Sequence, residues 1–334
     1  MVDLAEISVI VQGPIYGANA ATEDEKYTKR CCEQIRKLLP KSEVILSTWE
    51  NSDVTGIDAD VVVFSKDPGA VVMSLDGIDR PNNTNRMIVS TKAGLQRASN
   101  KYAIKMRSDM VLENLDFVKK FKNFPVNDSD CYLEQRIISL SANNYLRGKD
   151  VIFTISDWFE FGYTADLLKL WDIPLQNNEE FLETDGKLRF EDNLVAEAYI
   201  WVSFLKKIRK YDYLSLNYKD VVPLTKENID AYEQSLAEYV VLYNGKQLGL
   251  NSFKLPNKNY VRRDFAKASC FTHTEWMKLY KKHIDRKYKV SFILEDYVDV
   301  VLYKFVFKFL QKKMSGVYMF LKERVLNHGK KEYN

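Results

Sequence analysis

Four short apolar runs, each rich in β-branched residues and each cut off by a polar or glycine-bearing stretch, restrict the first third of this chain to very few folds. Ile7-Ser-Val-Ile-Val11 stops at Gln12-Gly13-Pro14, and Glu43-Val-Ile-Leu-Ser-Thr48 stops at Trp49-Glu50. Asp60-Val-Val-Val-Phe-Ser65 stops at Lys66-Asp67-Pro68-Gly69, and Tyr102-Ala-Ile-Lys-Met106 stops at Arg107-Ser108-Asp109. Helical patterns from Glu23 to Leu39, ended by Pro40, and from Asn83 to Ala98 lie between them. Runs that stay apolar instead of alternating belong to strands buried on both faces. Strands of that kind interleaved with helices predict an α/β fold, a mostly parallel sheet flanked by helices. Ligands of such sheets bind beyond the carboxyl ends of the strands. The polar residues at those ends are therefore candidates: Gly13, Pro14, Glu50, Asp67, Arg107 and Asp109.

The middle of the chain is less regular. Tyr132 to Ser139 reads as a strand, Ala165 to Trp171 as a helix, and Leu194 to Lys207 as another. Between them lies the aromatic and acidic stretch Asp157-Trp158-Phe159-Glu160-Phe161-Gly162. Its rings suit the apolar face of a sugar, and Asp157 and Glu160 could accept sugar hydroxyls, although core aromatics around a glycine turn would read the same way. One catalytic domain over residues 1–275 and a basic, amphipathic helical tail over 276–334 is the simplest division.

Composition excludes several classes. Against 46 % hydrophobic residues, the net charge is only +3, which argues against a general nucleic-acid binder. The four cysteines contain no C-x-x-C and read as reduced thiols. The first residues lack the basic and apolar regions of a signal peptide, and no apolar run is long enough to span a bilayer. A cytoplasmic protein is expected. Lys304, Lys308 and Lys312 recur at helical spacing among large rings, so residues 296–325 could lie on the cytoplasmic face of an anionic inner membrane or pack against protein.

Three weak signals bear on chemistry. Asp109, at a strand end, could hold Mg²⁺ or Mn²⁺ against a departing diphosphate, with Lys105 nearby. The usual D-x-D pair is altered, because Arg107 stands where the first aspartate would fall, and a solvated turn aspartate fits the same residues. Glu191 and Asp192, heading a helical stretch, could supply the base that deprotonates an attacking hydroxyl, or could merely cap the helix. His273, one of only three histidines, could be a ligand or a packed residue.

Their order along the chain is similar to that of GT-A glycosyltransferases: nucleotide-binding strands, a D-x-D-type motif, a glycine-bearing loop (Gly162), an x-E-D motif and a late histidine. More narrowly, Val11-Gln-Gly-Pro14, Asn82-Asn-x-Asn-Arg86 and Lys105-x-Arg-Ser-Asp109 resemble the WavE family of lipopolysaccharide-core biosynthesis proteins. The likeness is firmest over residues 7–115, thinner to about 275 and absent from the tail. The resemblance implies a GT-A-like, Rossmann-type sheet and a bacterial enzyme that takes a nucleotide-sugar donor and a lipopolysaccharide, capsular or other glycolipid acceptor. It implies that Gly13, Pro14, Glu50 and Asp67 border the base and ribose, that Arg86 and Lys105 face the diphosphate or position the strand-end loop, and that Arg107 belongs to the donor site. Asp157, Trp158 and Glu160 would meet the acceptor, Asp109 would hold the metal with His273 as a second ligand, and Asp192, beside Glu191, would be the base of an inverting hexosyl- or pentosyltransferase.

Other classes remain in play. A dehydrogenase or methyltransferase would carry a glycine-rich first loop, which Val11-Gln-Gly-Pro-Ile-Tyr-Gly17 does not match. A sugar-phosphate transferase, a CMP-sugar or phosphoribosyl-type donor, or a non-catalytic glycan-assembly module would share much of the pattern. The product released separates the first of these, a nucleoside monophosphate in place of a diphosphate.

Overall fold

The computed structural model describes residues 2–75, 78–126, 131–141, 152–177, 183, 185, 187–189, 194–215, 225–252, 270–301, 309, 313 and 316. The first strands form where the sequence predicts them: β1 (Ile7–Gln12), β2 (Glu43–Trp49) and β3 (Val61–Ser65), with α1 (Tyr27–Leu38) between the first two. All six residues of β1 are buried, as an apolar strand in the middle of a sheet must be. A hairpin not foreseen in the sequence follows, β4 (Val71–Leu75) and β5 (Ile78–Asn82). Pro81, which lacks an N–H, sits in β5 at the edge of a separate three-stranded sheet, where a missing donor is tolerated. Then come α2 (Thr84–Arg97), β6 (Tyr102–Arg107), β7 (Met110–Leu112), α3 (Asp116–Lys120), β8 (Ile137–Leu140), β9 (Phe159–Tyr163) and α4 (Thr164–Trp171).

The remaining elements are β10 (Leu188–Arg189), α5 (Ala196–Leu205), α6 (Lys226–Tyr239), β11 (Val240–Tyr243), α7 (Gly245–Leu248), β12 (Leu250–Ser252), α8 (His273–His283) and α9 (Leu294–Val301). The central sheet has seven strands in the order β11-β8-β9-β6-β1-β2-β3. β6, β1, β2 and β3 pair in parallel, as do β11 and β8. β9 runs antiparallel to both of its neighbours, β6 and β8. Gly162, expected in a loop, is therefore inside a strand, with a Cβ-sized space 3.5 Å from Ile137. The strand expected over residues 132–139 is confined to Ile137–Leu140.

The expected domain boundary at residue 275 falls inside α8. That helix buries Trp276, Met277, Leu279 and Tyr280 in the main core, and Trp276 Nε1 donates to the carbonyl of Leu236 on α6 at 3.3 Å. α9 is tied back to the start of α8, where Asp296 accepts from the backbone N–H and hydroxyl of Thr274 at 2.7 and 2.8 Å. Lys304, Lys308 and Lys312 lie outside the described residues. Among the described residues no helix is long and apolar enough to cross a membrane.

The helix that walls the cleft packs closely on the sheet. A Cβ at Gly94 of α2 would lie 2.6 Å from Ile10 Cγ2 and 3.0 Å from Ser47 Cβ. Both neighbours are buried in central strands and have nowhere to move. Gly94→Ala should lower stability by about 1–3 kcal/mol despite the better helix propensity of alanine, read as an earlier denaturant midpoint. A variant as stable as the parent would mean that α2 is free to slide.

Candidate active site

Strand order creates the crevice. The chain lays down β1, β2 and β3 outward, then returns to place β6 on the other side of β1. The loops leaving β1 and β6 therefore part in opposite directions. After Gln12 the backbone turns at Gly13, whose φ of +121° suits glycine. A Cβ there would lie 3.1 Å from Ser108 Oγ. Ser108 braces the turn: its N–H donates to the Gln12 carbonyl at 2.9 Å and its hydroxyl to the Pro14 carbonyl at 2.7 Å. The Gln12 side chain accepts from the Ser90 hydroxyl of α2 at 2.8 Å, and Ser47 of β2 donates to the Ser90 carbonyl at 2.7 Å.

The start of α2 forms one wall. Asn82 accepts from the N–H and hydroxyl of Thr84 at 2.9 and 2.6 Å, and donates to Gln176 Oε1 at 3.1 Å. Asn85 donates to the Gln176 carbonyl at 3.0 Å and accepts from its N–H at 2.7 Å, while Gln176 Nε2 donates to the Leu194 carbonyl at 3.1 Å. One turn into the helix, Arg86 donates through Nε and Nη2 to both oxygens of Asp67, at 2.7 and 2.6 Å. That bidentate bond is the main reason the Asp67 carboxyl lies below the usual range.

Together these groups enclose a cleft of about 740 Å³. Its lining is Gln12, Gly13, Pro14, Tyr16 and Trp49 on the floor, with Asp67, Asn82, Asn83, Arg86, Met87 and Ser90 along the α2 wall. Met73 and Pro81 of the hairpin, Arg107, Ser108, Asp157 and Trp158, and Val195, Ala196 and Glu197 at the start of α5 complete it. That volume suits a small molecule or cofactor.

The charged end of the cleft is built around Arg107. Its Nε and Nη2 donate to Asp109 Oδ1 and Oδ2 at 3.0 and 2.9 Å, and its guanidinium carbon lies 5.3 Å from the centre of the Trp158 ring. Burial opposes its charge, but Asp157 and Asp109 outweigh burial and hold it firmly protonated. Asp109 is only 2 % exposed and does not line the cleft, so the guanidinium stands in front of it. Asp157, equally buried, lines the cleft, and its Oδ2 has no hydrogen-bond partner. A buried carboxylate oxygen left in this way calls for an explanation.

Behind the cleft lies a second pair. Lys105 on β6 stands directly across from Glu160 on β9, and both are fully buried. The Lys105 ammonium donates to the Asp157 carbonyl and sits 4.4 Å from the centre of the Trp171 ring, and Trp171 Nε1 donates to Glu160 Oε2 at 2.6 Å. Burial lowers the Lys105 pKa and raises that of Glu160 to about 7, each opposed by the other's charge.

The crevice brings together Gly13, Pro14, Asp67, Arg86, Arg107, Asp157 and Trp158. Other expectations are not met. Lys105 cannot face a diphosphate and Glu160 cannot face an acceptor, because both are sealed in the sheet. Glu50 is exposed beyond β2 and does not line the cleft, and its N–H is bonded to the Ser65 carbonyl at 2.9 Å. His273 is packed between Tyr243 and Trp276, with Nδ1 donating to the Leu242 carbonyl at 2.8 Å. Burial holds its pKa down to about 4. It lies against β11, three strands from Asp109, where it opens α8 behind a Thr272–Glu275 capping box. The pattern T-x-x-E in the sequence was the signal for that cap. Glu191 and Asp192 lie outside the described residues. Sequence reading passed over Tyr16, Ser90, Met73 and Glu197, which carry no motif signal of their own.

Mg²⁺ and Mn²⁺ need open oxygen ligands. Both Asp109 oxygens are engaged by Arg107, and among the described residues no three metal-ligating side chains converge in the cleft. Among the described residues the cleft therefore offers a divalent ion no preformed set of three ligands.

A family model described as WavE lipopolysaccharide synthesis matches residues 7–309. A search of curated proteins found no match. Among solved structures, the chain is similar to a cytidylyltransferase from Leptospira borgpetersenii serovar Hardjo-bovis at 13 % identity, over 70 % of this chain and 85 % of that one, with a TM-score of 0.33. It is also similar to a mannosyltransferase from Pyrobaculum calidifontis in complex with GDP-Man and Mn²⁺, at 9 % identity, over 70 % and 62 % of the two chains, with a TM-score of 0.34. Likenesses this distant carry nothing about activity.

The buried pair makes stability depend on pH. Glu160, at about 7 in the folded chain against an ordinary 4.5, binds its proton more tightly when folded. Its contribution is therefore fully present at low pH and is lost as pH rises through about 7. Glu160→Gln should flatten that fall, measured as urea midpoints at about pH 5 and about pH 7.5. An unchanged slope would assign the effect to another group.

Proposed function

Since this chain belongs to the WavE lipopolysaccharide synthesis family, we propose that it is a glycosyltransferase that moves a sugar from a nucleotide-diphosphate donor, held in the cleft between β1 and β6, to a lipopolysaccharide or related surface glycan. The observation that carries this reading is the Arg107 guanidinium, fixed by Asp109 at the switch point of the sheet and flanked by the unpartnered Asp157 oxygen. A departing diphosphate needs positive charge in place before the bond breaks, and a pre-set guanidinium supplies it without reorganisation. Arg107 takes that part, and no step passes through a metal. Arg86, held by Asp67 and Asn83, adds a second positive centre along the α2 wall.

The orphan Asp157 oxygen accepts a hydroxyl of the donor or acceptor sugar, and the Trp158 ring offers it an apolar face. Asp192 serves as the base for an inverting transfer. Support for this is that Val195, Ala196 and Glu197, a few residues further along the chain, line the cleft. The exposed Phe292, Leu294, Tyr297 and Val298 around α9 fit contact of that end with the surface that carries a lipid-linked acceptor.

Thermal unfolding against a panel of nucleotides and sugar nucleotides, with and without Mg²⁺ or Mn²⁺, tests the reading, since a ligand of the native state must raise the melting temperature. A rise with a nucleoside diphosphate or its sugar, undiminished by chelator and lost in Arg107→Ala, is expected. A rise that needs metal would return the charge-neutralising role to an ion. A preference for CMP-sugars, or release of a nucleoside monophosphate during turnover, would change the donor class. Silence towards every nucleotide would point to a non-catalytic glycan-assembly role. In turnover assays Asp192→Asn should abolish transfer with donor affinity unchanged, whereas Asp157→Asn should retain nucleotide binding and lose at least about tenfold in kcat/KM. Full activity in Asp192→Asn would remove it as the base.

A further inference from the structure

Away from the cleft lining, α6 and α8 pack against each other, with Trp276 bonded to the Leu236 carbonyl. At the solvent edge of that contact, Asp230 and Glu233, one turn apart on α6, face His283, the last residue of α8. Their ligand atoms all lie within 4.8 Å of one another. His283 Nε2 is 3.9 Å from Asp230 Oδ1 and 3.9 Å from Glu233 Oε2, beyond hydrogen-bond length. That nitrogen is shielded from solvent without a hydrogen-bond partner, on a side chain only 9 % exposed.

We infer that Asp230, Glu233 and His283 form a binding site for a divalent transition metal of the zinc type, clipping α6 to α8. The donor set is an imidazole nitrogen and two carboxylate oxygens, which zinc accepts, leaving a fourth position for water beside the half-exposed Asp230. Zinc bonds to such atoms at about 2.0–2.2 Å, which sets tetrahedral ligands about 3.4 Å apart, so the imidazole must approach each carboxylate by about half an ångström. Burial and the neighbouring Lys282 charge hold His283 towards its neutral form, the form that offers a lone pair. The position at the carboxyl end of α8 also favours a cation.

Lys282 is the resident counter-charge. Its ammonium lies 2.6 Å from Asp230 Oδ1 and 2.7 Å from Glu233 Oε2, and half of its side chain is exposed. It bonds the same two oxygens a metal would take, so it competes with the ion and swings into solvent when one binds. No residue lining the cleft belongs to α6 or α8, so the ion joins two helices and takes no part in transfer.

The test uses the full chain without a histidine tag, Zn²⁺ in thermal unfolding and Co²⁺ as a spectroscopic substitute. Zn²⁺ should raise the melting temperature of the parent and raise it further in Lys282→Ala. The rise should vanish in His283→Gln and, with least risk to the fold, in Asp230→Asn. Co²⁺ should give a weak visible spectrum typical of nitrogen and oxygen ligands. A rise that survives in Asp230→Asn, no rise in either the parent or Lys282→Ala, or an intense thiolate band assigning the metal to a cysteine would each overturn the site.

Discussion

An ammonium and a carboxyl buried face to face in the sheet set the terms for everything around the cleft. Lys105 and Glu160 occupy paired positions on β6 and β9, and neither reaches water. A slip of β9 by one residue would turn Glu160 to the opposite face and leave Lys105 buried without it, so the pair fixes the register of the reversed strand. The Lys105 ammonium then reaches the carbonyl of Asp157, and that contact holds the segment before β9 where Asp157 and Trp158 meet the crevice. A buried pair of this kind contributes little to net stability, because desolvation offsets attraction. Its contribution is to specify one arrangement of two strands whose remaining side chains are interchangeable apolar groups.

Arg107 stands one pleat beyond that pair, at the end of β6 and beside the crevice. Where a D-x-D turn would present two carboxylates to an ion, this chain presents a guanidinium with its carboxylate behind it. A metal ion is free to exchange and brings its own water. The guanidinium here lies over Trp158 and is tied to both oxygens of Asp109 before any ligand arrives.

Much of the fold was legible because β1, β2, β3 and β6 are apolar throughout and end abruptly, a pattern few other structures produce. Each lies within a residue or so of its expected span. The rule that ligands gather beyond strand ends then found Gly13, Pro14, Asp67 and Arg107, since it needs only the ends and no knowledge of neighbours. It failed where the answer depended on pairing. Nothing in the sequence says that β9 is reversed beside β6, so Glu160 read as a pocket residue when its partner was Lys105 inside the sheet. His273 misled for a different reason. A histidine is rare enough here to draw notice, yet its capping box and its bond to the Leu242 carbonyl give it a packing role. The β4–β5 hairpin escaped because Asp79, Arg80 and Pro81 carry little strand propensity, and the hairpin forms at an edge where propensity counts least.

The amide clamp at the start of α2 has a consequence for descent. Asn82 and Asn85 each bond residue 176, more than ninety positions further along the chain, and the Gln176 side chain extends the arrangement to Leu194. Replacing Gln176 strands the Asn82 amide and the Leu194 carbonyl, whereas Asn85 bonds the backbone of residue 176 and keeps its partners. Lineages that keep this crevice should therefore inherit Asn82 and Gln176 as a pair. Where one of the two has drifted, the other should have drifted with it, and the loop that carries Gln176 should then be the first part of the wall to change shape.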